Sequence, residues 1–135
     1  MSNDIYVSLG SIEGSLRRLG RVVLLDSLRE GIPSETVRSL LARVGLESFP
    51  ELEALYAWRD GTDTDGVKLG EIDIFPGFYL LSLEDAILNY QAFVGDMRWQ
   101  VGWLPLFADG GGDFYVIDLG MESGRPIRGF WIEWG

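Results

Sequence analysis

A chain of 135 residues that is 47% hydrophobic and 13% aromatic can bury one core and is too apolar for disorder. Its net charge of −10, from 21 acids and 11 bases, argues against a nucleic-acid binder, whose phosphate contacts need clustered Lys and Arg. With no Cys and no His, disulfides, thiol chemistry, Ser-His and Cys-His nucleophiles and the commonest zinc sets drop out.

The charge suits solubility or steering towards a basic protein partner. The lack of Cys is compatible with the cytoplasm. No apolar run has transmembrane length, and the first residues, MSNDIYVSLG, lack a basic start and a long apolar segment. A cytoplasmic protein with no membrane and no nucleic-acid partner is the expectation.

Residues 1–10 read as a loose lead-in. Ile12, Leu16, Leu19 and Val23 have near-helical spacing, so a helix is expected within 11–30. Gly14 and Gly20 weaken it, by about 1 kcal/mol each relative to Ala. Gly31-Ile32-Pro33 breaks the chain, and Ser34 is expected to cap a second helix with the stripe Val37, Leu40, Leu41, Val44 and a stop at Gly45. A third helix follows from Ser48-Phe49-Pro50-Glu51, which has capping-box spacing and a Pro in the first turn. Its Leu52, Leu55 and Tyr56 face inward, Trp58 lies near its end, and Gly61 stops it.

Residues 60–66, DGTDTDG, read as a surface loop. Leu69 to Phe75 is β-leaning, and Pro76-Gly77 turns it. Phe78 to Leu81 leads into Ser82, which caps a fourth helix with Asp85 at the third position. Ala86, Ile87, Tyr90, Phe93, Val94 and Met97 form its apolar face. The most patterned stretch comes next. Trp103 to Ala108 and Phe114 to Leu119 read as strands around Asp109-Gly110-Gly111-Gly112-Asp113, where glycine allows the reversal. Pro105 lacks an N–H, so its strand should be an edge or pair elsewhere on that side. After a turn at Gly120 to Gly124, Ile127 to Trp134 is a last strand. The expected fold is one α+β domain over residues 1–135: N-terminal helices packed on a mostly antiparallel sheet, with one inserted helix.

Trp103, Leu104 and Pro105, then Asp109, Gly111, Gly112 and Asp113, then Tyr115, Asp118 and Leu119 resemble the signature of the SUKH superfamily, in the branch related to the Smi/Knr-type cell-wall assembly regulators. Leu55, Tyr56, Trp58, Asp60 and Gly61 match its short helix ending in an aromatic, an acid and Gly; Phe49-Pro50 stands for the usual Leu-Pro. Gly77 to Ala86 fits the apolar segment that the family places before a helix. The resemblance covers residues 34 to 132. Family members often continue into another helix, so this chain reads as a shortened member or as a piece of a longer one.

Catalytic patterns are few. Lys68 is the only lysine, and no spacing selects a carboxylate pair, so an enzyme is not expected. The Gly110–Gly112 run joins two strands and is flanked by Asp109 and Asp113, which would repel phosphate. Asp60, Asp63, Asp65 and Gly66 resemble a calcium loop, but Gly66 at position 6 puts Gly61 at position 1 and Ile72 at position 12. No cofactor and no metal are expected. Asp113 reads as a turn-fixing residue, and Asp118 as either that or a partner contact. Trp103 and Tyr115 read as core or half-buried sheet residues. Trp99, Trp131 and Trp134 exceed what a small core needs, and Trp is enriched at interfaces.

The resemblance implies an immunity protein. Bacterial SUKH proteins typically neutralise polymorphic toxins, many of them directed at nucleic acids, by direct binding. Candidate contacts with such a basic protein are Trp58, Asp60, Asp63, Asp65, Asp113, Trp131 and Trp134. The alternatives are a regulatory or scaffold domain like the eukaryotic relatives, and a metal-dependent hydrolase using acidic loops.

Overall fold

A computed structural model describes residues 2–120 and 127–130. The first helix, α1, spans Ser2–Arg18, so the opening residues are helical rather than loose. Leu9 and Leu16, seven residues apart on one face, are what bury it. Ile12, Leu19 and Val23 stay 40%, 74% and 39% exposed, so the expected stripe holds only at Leu16. Gly20 does not sit inside the helix; it ends it. At φ 72° it lets the carbonyls of Leu16 and Arg17 accept the N–H groups of Arg21 and Gly20, at 2.9 and 3.1 Å.

A short α2 (Val22–Ser27) runs into β1 (Leu28–Glu30). The next helix, α3, is Ser34–Ala42, with Val37 and Leu41 fully buried. Its cap is Pro33, not Ser34: the Pro33 carbonyl accepts the N–H groups of Thr36 and Val37, and Ser34 is already helical. In α4 (Pro50–Trp58) Pro50 occupies the first position as expected. That makes Phe49 the cap, and no capping box forms from Ser48, one residue too early.

No loop follows α4. The chain passes directly into β2 (Arg59–Thr62), which pairs antiparallel with β1, Leu28 opposite Thr62. The expected surface loop therefore begins only at Asp63. Leu69 to Phe75 is not a strand either. Leu69–Ile72 is a single helical turn, α5, where the Glu71 carboxylate accepts the Lys68 N–H at 2.9 Å and Ile72 is buried.

Two residues, Tyr79–Leu80, make β3. Then comes α6, Leu83–Phe93, with Ser82 Oγ accepting the Asp85 N–H at 3.1 Å as the spacing predicted. Ala86, Ile87 and Tyr90 are buried, but Met97 lies beyond the helix and is fully exposed. The strands β4 (Trp103–Ala108), β5 (Phe114–Asp118) and β6 (Ile127–Phe130) complete an antiparallel sheet in the order β3-β4-β5-β6. The expected last strand is thus described only as far as Phe130; Trp131 and Trp134 lie outside the described residues. Pro105 is not on an edge strand. It sits where the β4–β5 register shifts, a bulge that dispenses with its missing N–H.

The fold is α+β, with two small antiparallel sheets where one was expected. The main core lies between α3, α4, α6 and the inner face of the larger sheet, with Val37, Leu52, Tyr56, Leu83, Leu104 and Val116 at its centre. There the Tyr56 hydroxyl donates to the Leu81 carbonyl at 3.1 Å. A smaller core of Leu16, Leu24, Leu28 and Ile72 seats α1 and α2, with Trp58 and Tyr79 packed against it. Among the described residues no helix is long and apolar enough to cross a membrane.

Candidate functional site: an acidic face at the start of α6

Gly61 brings β2 against the start of α6. It has φ 77°, and a Cβ there would stand 2.1 Å from the Ser82 backbone nitrogen, so only glycine allows this approach. Asp60 is thereby placed to accept the Leu83 N–H at 2.9 Å, next to the Ser82 cap. The first N–H groups of a helix have no partner inside it and carry partial positive charge, so carboxylates gather there at low cost. Asp60, Glu84 and Asp85 line a recess of about 190 Å³ together with Ser82 and Arg29. Asp60, Glu84 and Asp85 form no ion pair among the described residues.

Asp60 and Asp85 bear on two tyrosines. Burial, then the charges of Asp60 and Asp85, push the Tyr56 hydroxyl far above its ordinary range. Burial, then Asp85 and Asp109, push Tyr79 up as well. Asp85 thus acts on both phenols, Asp60 on Tyr56 and Asp109 on Tyr79. Asp63 and Asp65 lie in an exposed turn just past β2, where Asp63 Oδ1 accepts the Asp65 N–H at 3.0 Å.

Beside the recess, Leu40 of α3, Val44 just past its end, and Ile87 and Leu88 of α6 line an apolar groove of about 240 Å³ that Arg43, Glu84 and Gln91 also line. A third cleft of about 250 Å³ lies between Tyr79, Asn89 and Phe93 and the glycine turn at Gly110 and Gly112. All three are smaller than the roughly 300–1,000 Å³ of a small-molecule site. Among the described residues no group of acids could hold a metal ion.

Asp60 lines this recess, whereas Trp58 is engaged with α1. Trp58 Nε1 donates to Glu13 Oε1 at 3.0 Å, and Arg59 lies over its ring at 5.8 Å. Trp58 is therefore a tie to α1. In the hairpin, Asp109 fixes the turn: its Oδ1 accepts the N–H groups of Gly111 at 2.8 Å and Asp113 at 3.1 Å. Asp113 belongs to that turn, half-buried. Asp118 is buried, and its Oδ1 accepts the Gly120 N–H at 2.9 Å. Trp103 stands edge-on to Trp99, and Tyr115 packs edge-on to Phe75 and Phe78. Those rings are sheet packing, and Trp99 is itself buried rather than presented.

Sequence reasoning missed Glu84 and Leu88. Leu88 is 62% exposed on a helix whose other large apolar residues turn inward. The signal was present: it is the one large apolar residue of α6, apart from the first, that the predicted face leaves out. In comparisons with known proteins, no family model matches the chain and no curated protein is significantly similar to it.

Proposed function

We propose that this chain is a non-enzymatic, cytoplasmic immunity protein that neutralises a cognate toxin by covering a basic surface on it. The observation that carries the reading is the acidic face. Asp60, Glu84, Asp85, Asp63 and Asp65 bear charge that no Arg or Lys among the described residues neutralises in an ion pair. An acidic face left unpaired in a chain of net charge −10 suits fast, steered association with a cationic protein. The clefts suit side chains better than substrates. The SUKH-like pattern from Trp103 to Leu119 points the same way.

The test is capture from native host extract by the wild type and by a variant with Asp63, Asp65 and Glu84 changed to Lys. Asp60 is left alone because α6 depends on it. The reading requires a stoichiometric partner that is toxic when expressed alone, is harmless when the wild type is co-expressed, and is not held by the variant. A non-toxic regulatory partner, held equally by both, would sink it and favour a scaffold.

A further inference from the structure

Two concavities adjoin on one side of α6. The apolar groove and the acidic recess share Glu84 and Leu88. Leu88 is 62% exposed at their junction, with Leu40 and Val44 half-buried and Ile87 buried on one side. On the other side Asp60, Glu84 and Asp85 outnumber Arg29. From Glu84 to Leu88 is one helical turn, about 6 Å along the axis at 1.5 Å per residue.

We infer that this groove and recess form one docking site for a cationic amphipathic helix of a partner protein. The helix would set an apolar side chain between α3 and α6 and an Arg or Lys, one turn away, into the recess. The occupant follows from the chemistry. The groove is apolar but smaller than a small-molecule site, which matches one or two anchoring side chains. The recess next to it carries net negative charge with no ion pair, so the group that completes it is a cation. A second copy of this chain fits poorly, because two molecules of net charge −10 repel. Anchors at i and i+4 on one helix face reproduce the spacing of Leu88 and Glu84. The inference deepens the immunity reading, on which it rests only for the partner being a protein.

The probe is a synthetic 14-residue helical peptide carrying Leu and Arg four residues apart, with a twin in which every Arg is Glu. Amide shifts of the isotopically labelled full chain are followed as peptide is added. The site predicts saturable shifts at Leu40, Val44, Ile87 and Leu88 for the Arg peptide and none for the Glu twin. Leu88→Arg and Glu84→Arg, both at exposed positions, should each weaken binding at least tenfold with the amide spectrum otherwise unchanged. Asp63→Asn with Asp65→Asn should weaken it less than twofold. Shifts centred on Asp63 and Asp65, or indifferent to Leu88→Arg, would overturn the groove while leaving the acidic-face reading standing. So would no saturable shift at all, or groove shifts that appear on raising the protein concentration without peptide, which would mark a second copy as the occupant. Toxin neutralisation in the host is read separately and can fail or hold without altering this result.

Discussion

Gly61→Ala tests how the acidic face is held in place. At φ 77° any L-residue pays about 1–2 kcal/mol for the left-handed conformation. Gly77 provides the comparison, because at φ 86° its added Cβ would meet open space. Gly77→Ala should therefore cost about 1–2 kcal/mol and nothing more. At Gly61 the new Cβ would also lie 2.1 Å from the Ser82 nitrogen and 2.4 Å from its Cα, both backbone atoms that no rotamer change can move. Relief requires β2 to withdraw from α6, which breaks the Asp60–Leu83 hydrogen bond. That adds about 1–3 kcal/mol for a buried donor left without a partner. The total is about 2–5 kcal/mol, a fall in Tm of roughly 7–18 °C for a chain of this size. Urea and thermal unfolding of the two variants side by side is the assay. A Gly61→Ala loss within about 1 kcal/mol of the Gly77→Ala loss would refute the argument that close backbone approach, rather than turn conformation, fixes this glycine.

Asp60→Ala should cost about 1–2 kcal/mol in urea unfolding, as loss of a helix-start acceptor does, and Asp60→Asn much less because the amide oxygen can still accept. Tyr56→Phe removes the buried hydroxyl bonded to the Leu81 carbonyl and should cost about 1–2 kcal/mol without changing the fold. Glu13 is raised by burial but lowered more by its bonds to Trp58 and Arg17 and by Arg59, so its folded pKa lies below the ordinary 4.5. Its stabilisation should be present above pH 4.5 and fade as pH falls through the lower folded value, so stability curves of wild type and Glu13→Gln should converge in acid. The Asp96 carboxylate, bonded to the Arg98 guanidinium and backbone, should titrate at about 2 by NMR and return towards 3.8 in Arg98→Ala.

Local signals in the sequence carried the parts of the fold that rest on local chemistry. Ser82 with Asp85, Pro50 at a helix start, and the strand pair around the glycine turn are each decided within a few residues, and each forms as expected. The failures occurred where distant contacts decide. Residues 2–10 look polar and weak, but Leu9 gains a buried place, and α1 packs on α4 through Glu13. Residues 60–66 read as a surface loop because of their Asp and Gly, yet β1 lies alongside to pair with β2, Arg59–Thr62. Pro105 reads as a residue of an edge strand or of one that pairs elsewhere on that side; β4 is interior, and the bulge beside Pro105 cannot be seen without the partner strand. The candidate site was half legible. Asp60 was singled out as an exposed acid; the structure makes it a helix partner that also contributes charge. Glu84 carries no local signal that sets it apart from the other acids of the chain.

The division of the apolar interior has a consequence for motion. The smaller core, Leu16, Leu24, Leu28 and Ile72, is separate from the one that joins α3, α4 and α6 to the larger sheet. It is small, and α1 is further held to α4 by the partly solvated Glu13 carboxylate, shared among Arg17, Trp58 and Arg59. Regions with few buried contacts open at lower free energy than the global transition. The α1–α2 amides should therefore exchange with solvent by a sub-global opening that leaves α6 and β4–β5 protected. The acidic face is anchored to the slow unit through Asp60, Ser82 and Leu83, so it should persist while the amino-terminal helices open and close.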